Sequence, residues 1–185
     1  ITEKYTVAIW NKIYNIIADL NNLLYWVDEN KDVFTTANYH DIIKGEALGL
    51  RAFLHFDLLR LFGPVYSENP TGKAIPYRVS FDQKATPVLP ADQVITYVLK
   101  DLHEADSLLE ISDPKNFDLP EYYSKDYNAF EDSRQLRMNT CAVKAMLARV
   151  YCYKGDAESK QKALTYAYDV VESNYFALYE DNSNP

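Results

Sequence analysis

Glycine is scarce in this sequence, with five in 185 residues, and cysteine, methionine and tryptophan each occur only twice. No Gly-rich phosphate loop and no nucleophile motif occurs, and nothing in the sequence calls for a cofactor. Cys141 and Cys152 fall eleven apart in one expected helix, so at about 1.5 Å rise per residue they lie roughly 16 Å apart, too far for a disulfide. Both read as small core residues. The three histidines, His40, His55 and His103, are scattered without metal-ligand spacing, so no metal site is expected. Basic residues are also short: 19 Lys and Arg face 27 Asp and Glu, a net charge of −8. That balance argues against nucleic acid and against an anionic membrane surface as partners. No stretch offers about eighteen apolar residues free of charge, so no segment is expected to span a bilayer. What is abundant is tyrosine, sixteen of them, a residue whose ring seeks apolar contact while its hydroxyl seeks water.

Helical periodicity dominates the chain. Ile9, Ile13, Ile16, Leu20, Leu23 and Val27 form one stripe over 5–28, with Trp10, Tyr14, Ile17 and Leu24 beside it. A second helix over 40–62 ends at Gly63-Pro64. Residues 64–89 carry four prolines and read as extended. A third helix starts at Pro90 and runs to about Ile111, with Val94, Val98, Leu102, Ala105 and Leu109 in register. A polar, acidic loop fills 112–137. A fourth helix over about 139–154 closes on Gly155, and a fifth over about 158–174 carries Ala163, Ala167 and Val170 on one face. No β-period appears, so the expected class is all-α. The chain begins at Ile1 and ends in a loop-like polar run, and it is expected to be a piece of something longer, organised as one helical domain over 1–185.

The stretch GEALGLRAFLHFDLLRLFGPVY, 45–66, is nearly continuous apolar sequence with charges set into it. On a helix Lys44, Arg51 and His55 fall in a strip roughly 40° wide, with Glu46, Asp57 and Arg60 about opposite. Between the strips lie two apolar arcs, Ile43, Ala47, Leu50, Leu54, Leu58 and Leu61 on one side and Leu48, Ala52, Phe56 and Leu59 on the other. A helix with two apolar arcs packs between neighbours, as in stacked helical hairpins of a tetratricopeptide-like α-solenoid. Segment 147–171 fits that architecture: Leu147, Ala148, Tyr151, Gly155-Asp156, Ala163 and Ala167 resemble the repeat's pattern, with about three extra residues between Gly155 and Ala163. The embedded charges read as structural, with Asp57 and Arg60 paired across a turn and the others bonding loop backbone or helix ends.

Ordered blocks along the chain resemble one family. They are Trp10-Asn-Lys-Ile-Tyr14 with Ile17 and Asn21; Gly45-Glu46-Ala47, Leu50-Arg51-Ala52, Phe56-Asp57-Leu58 and Arg60-Leu61-Phe62-Gly63; Ile75-Pro76-Tyr77; Asp101-Leu102 with Ala105 and Leu109; and Arg137 with Ala145, Leu147 to Tyr151 and Gly155. Together they resemble the SusD/RagB nutrient-binding outer-membrane lipoproteins of gut and oral Bacteroidetes. Pro64-Val65-Tyr66 departs from the Val-Pro common in the family after that glycine, a change of turn. Family chains are well over twice this length, so the resemblance implies the N-terminal, tetratricopeptide-bearing half. It also implies an all-α SusD-like fold with long irregular loops and a lipid-bearing cysteine upstream of Ile1, the only link to the membrane. Surface capture of an oligosaccharide or other nutrient, delivery to a TonB-dependent SusC-type transporter, and no catalysis are the implied activity.

Two patches are candidate ligand or partner contacts. In the long loop, Tyr122, Tyr123, Tyr127 and Phe130 stand among acidic residues, a mixture suited to sugar rings, which offer apolar faces and hydroxyls, and equally to a protein. These rings could also simply pin the loop to the helices. Trp26, with Tyr25 beside it and Tyr39 beyond, forms the second patch. Carboxylates such as Glu104 and Asp106 show no sign of a shared pocket. Besides glycan capture, two functions stay open: a tetratricopeptide-like scaffold for protein segments, and an all-α carbohydrate enzyme.

Overall fold

Local signals set the helix boundaries in the structure, a computed structural model that describes residues 3–115, 128 and 130–176. The helices are α1 (Glu3–Glu29), α2 (Tyr39–Phe62), α3 (Ala91–Ser112), α4 (Thr140–Lys154) and α5 (Ala157–Glu172). α2 stops at Gly63, whose N–H bonds Leu59 O at 2.8 Å, and Pro64 prevents continuation. Asn139 caps α4 by accepting the Ala142 N–H, and Asp156 caps α5 by accepting that of Ser159. Between α4 and α5 the chain reverses at Gly155, whose φ of +79° suits a residue without Cβ. Within the proline-rich stretch, β1 (Lys73–Pro76) pairs antiparallel with β2 (Val88–Pro90), with a bulge between Lys73 and Ile75. Strands of three and four residues are too short to show a period in sequence.

α1 and α2 run antiparallel: Trp10 meets Phe62 at one end, Asn21 meets Arg51 in the middle, and Asp28 meets Lys44 at the other end. α3 packs along a different face of α2 from α1, α4 along α3, and α5 along α4. The approach of α2 to α3 depends on Gly45, where a Cβ would stand 2.7 Å from Leu109 Cγ. Ile17, Leu24, Phe56, Leu59, Val98, Leu102 and Leu147 meet in the shared core. All five residues expected in register on α3 are buried.

The expected faces of α1 and α2 need correction. On α1 the buried line is Ile17, Leu20, Asn21, Leu24 and Val27, while Ile9, Ile16 and Leu23 are exposed. On α2 the arc through Leu50 and Leu61 is split: those two are exposed, at 37% and 61%, Ile43 and Leu54 are half-buried, and Ala47 and Leu58 are buried. Neighbours do flank α2 on more than one side, and Glu46, Arg51 and His55 face inward together with Ala47 and Leu58. Sorting apolar residues inside and charged ones outside fails here because each buried charge has a partner. Cys141 is buried as expected, whereas Cys152 is exposed on α4. On α5, Ala163 and Val170 are half-buried and Ala167 is exposed.

The two classes of leucine on α2 should separate cleanly in urea unfolding of the full-length protein. Leu59→Ala is expected to cost about 2–5 kcal/mol, and Leu61→Ala under about 0.5 kcal/mol. Equal losses at the two positions would contradict the burial described.

Candidate functional site

Arg51 fixes the local architecture from which the site grows. Its Nε and one terminal nitrogen grip both oxygens of Asp101 on α3, at 2.7 and 2.8 Å, and its other terminal nitrogen reaches Asn21 Oδ1 on α1 at 2.8 Å. Asn21 then spends its amide on the carbonyls of Arg78 and Ser80, at 3.1 and 3.2 Å, and so holds the 76–82 strap against α1. The buried Tyr77 donates its hydroxyl to Asp101 Oδ2 at 2.6 Å. Burial and the neighbouring carboxylate push that hydroxyl well above its ordinary pKa, which keeps it a donor. His55 stacks on Tyr77 at 3.9 Å. Its Nδ1–H donates to Arg51 O at 2.9 Å, and its Nε2 accepts the Arg78 N–H at 3.0 Å, so the neutral ring is satisfied at both nitrogens. Desolvation by burial depresses its pKa to about 4.

Held this way, the strap and the C-terminal half of α1 wall a cleft of about 440 Å³ over α2 and α3. Tyr25 and Phe81 stand at its mouth, 47% and 45% exposed, with ring centroids 5.5 Å apart. Across from them, Lys44 Nζ lies 2.9 Å from Asp28 and 3.5 Å from Glu104. Burial disfavours the ammonium, but bonds and charge from Asp28 and Glu104 outweigh it and raise the Lys44 pKa. Burial likewise opposes the Asp28 carboxylate, and Lys44 and then His40 more than offset it, lowering its pKa. Asp82 and Ser80 complete the polar lining. Two apolar ring faces beside several acceptors and one ammonium can hold a sugar ring, stacking its C–H face and bonding its hydroxyls.

The residues expected to form contact patches are placed as follows. Trp26 is 53% exposed, outside the cleft lining, with its ring nearly perpendicular to that of Tyr25 and the centroids 5.1 Å apart. Tyr39 and Phe130 are brought together at 4.5 Å, with the Arg137 guanidinium 5.0 Å from the Phe130 centroid. The Tyr39 hydroxyl accepts from Asn128 at 2.9 Å. Both rings are half-buried and fasten the end of the loop to α2. Tyr122, Tyr123 and Tyr127 lie outside the described residues. Phe81, Asp28, Lys44 and Glu104 were not singled out from the sequence as contacts. The α1 members were open to discovery, since 21, 24, 25 and 28 share one helical face. Phe81 sits in a segment without periodicity and gave no signal.

A second buried cluster closes the loop's far end. Arg134, fully buried in the 3₁₀ turn Arg134–Leu136, binds Asp113 at 3.0 Å and also Glu46. Arg137 binds the same Glu46 at 2.6 and 2.8 Å. So Glu46 and Arg51 of the 45–66 stretch do serve structure, but through side chains of distant segments. Asp57 and Arg60 pair across a turn at 3.2 Å, as expected.

The family model for SusD-like proteins, described as starch-binding and associating with the outer membrane, matches residues 1–152. Among solved structures, the chain is similar to a SusD superfamily protein from Bacteroides thetaiotaomicron, with 26% identity and a TM-score of 0.73 over 92% of this chain and 33% of that one. A putative sugar binding protein from Bacteroides vulgatus is also 26% identical, with a TM-score of 0.66 over 89% of this chain and 32% of that one. A SusD superfamily protein from Bacteroides fragilis shares the fold at 22% identity, with a TM-score of 0.74 over 98% of this chain and 37% of that one. This chain spans about a third of the length of these structures. No curated protein matches the sequence.

His55 supplies a pH test of the network that builds the cleft. Its folded pKa of about 4 lies below the ordinary 6.5, so the unfolded chain binds the proton first. Its contribution is complete above about pH 6.5 and is lost as pH falls towards 4, up to about 3 kcal/mol in all. Urea unfolding between pH 7 and 4.5 should show this loss, and His55→Gln should remove most of the slope. Equal slopes in the two proteins would refute the buried neutral histidine.

Proposed function

Because this chain belongs to the SusD-like family of starch-binding proteins that associate with the outer membrane, we propose that it is the glycan-contacting part of a nutrient-capture protein, with Tyr25 and Phe81 as sugar platforms. The family match is the observation that carries this reading. The cleft adds chemical support through its paired rings and its row of acceptors. Trp26 extends the platform at the cleft mouth. The loop tyrosines Tyr122, Tyr123 and Tyr127, with Tyr39 and Phe130, form a further contact for the ligand or for the transporter. In the whole protein, a lipid anchor upstream of Ile1 holds the molecule at the cell surface, and captured oligosaccharide passes to a TonB-dependent SusC-type transporter. The role is binding without turnover.

A second reading, a scaffold for protein segments, is favoured by one observation. The outer face of α5 exposes Leu164, Tyr168 and Val171, an apolar line at helical spacing.

Calorimetric titration of the full-length protein with a panel of oligosaccharides decides between them. We expect binding by at least one glycan, no release of new reducing ends on incubation, and at least a tenfold loss in a Tyr25→Ala, Phe81→Ala variant with unchanged thermal unfolding. Two stacking contacts of about 0.5–1.5 kcal/mol each, together with the apolar ring area no longer buried by the ligand, account for that loss. Unchanged affinity would remove the cleft from the site, no binding to any glycan would favour the scaffold, and sustained product release would make the protein an enzyme.

A further inference from the structure

The charges around the cleft carry an inference about which glycans it accepts. Three carboxylates line it: Asp28, Asp82 and Glu104. Against them stand two cations, and neither is free. Arg51 is buried, and Asp101 and Asn21 take up all three of its guanidinium nitrogens. Lys44 is held between Asp28 and Glu104. Arg78, at the edge of the strap, is spent on Asp82, on the carbonyl of Lys84 and on Thr86. Among the described residues facing the cleft, no cation lacks a carboxylate partner.

We propose that this cleft selects neutral sugar chains over those carrying carboxylate or sulfate groups, and that Glu104 and Asp28 impose the selection by occupying Lys44. The proposal rests on the glycan reading given above. Recognition of an anionic group needs a guanidinium or ammonium able to bond it directly. Here an incoming anion meets three carboxylates, and it has to displace an existing partner of Lys44. A neutral ring faces no such conflict. Its hydroxyls donate to Asp28, Glu104 and Asp82, whose carboxylate oxygens keep acceptor capacity beyond the bonds to Lys44. Removing the two carboxylates nearest Lys44 releases the ammonium and turns the same recess towards anions.

The test uses the full-length protein and matched pairs of chains. Maltoheptaose, cellohexaose and mannohexaose are each titrated beside the same chain oxidised at C6 to the uronate. The oxidised partner of any chain that binds is expected to bind at least tenfold more weakly. In a Glu104→Gln, Asp28→Asn variant that ratio is expected to narrow at least tenfold, with oxidised-chain affinity falling as salt is raised. Should the double variant fail to fold, Glu104→Gln alone, at a largely solvent-facing side chain, is expected to narrow the ratio in the same direction. Equal or tighter binding of the oxidised chain by the unaltered protein overturns the selection and leaves the glycan reading standing. A ratio unmoved by the substitutions overturns the role of Lys44. Failure of every neutral chain to bind overturns the glycan reading and the selection together.

Discussion

The bidentate pairing of Arg51 with Asp101 is the constraint on which the described architecture turns. One guanidinium joins α2 to α3 through a carboxylate and to α1 through Asn21, and the amide of Asn21 then fixes the 76–82 strap. The same carboxylate takes the Tyr77 hydroxyl, and the carbonyl of Arg51 orients His55, which accepts the strap's backbone N–H. A buried ion pair is weak evidence for net stability, since desolvation cancels much of the attraction. Its contribution here is directional. An apolar contact tolerates sliding, whereas these bonds fix where α1, α3 and the strap lie relative to α2.

The second buried arginine does similar work at the other end of α2. Arg134 joins Asp113, just past α3, to Glu46 on α2, and Asp113 also accepts the backbone N–H of Thr140 at the start of α4. Asn139 caps α4 and at the same time bonds the carbonyl of Arg134. A long connection between two helices is thereby closed at its base, whatever path lies between. Burial of the full guanidinium without a carboxylate on each side would be prohibitive, which explains why Glu46 and Asp113 are buried with it.

The cleft and the family reading meet through these networks. The blocks that resemble SusD-like sequences include Asn21, Glu46, Arg51, Tyr77, Asp101 and Arg137, and in the structure these residues build the scaffold and do not form the ring platform. Tyr25 and Phe81 stand outside those blocks. The buried frame and the exposed rings Tyr25 and Phe81 thus draw on different residues of the same segments.

The sequence alone determined the helical class, the helix boundaries to within two residues or so, the register of α3 and the family. These follow from periodicity, from Gly, Pro and Asn at helix ends, and from ordered motifs, all of which are local. It also marked Trp26, Tyr25, Tyr39 and Phe130 as rings of interest, but not their roles. Only the tertiary structure decided that Leu50 and Leu61 face solvent while Arg51 and Glu46 face inward, because burying a charge depends on a partner about thirty to ninety residues away. It alone set Phe81 beside Tyr25 and enclosed Lys44 between Asp28 and Glu104. Pairings across such separations leave no periodic trace along the chain, since what fixes them is the packing of helices against one another.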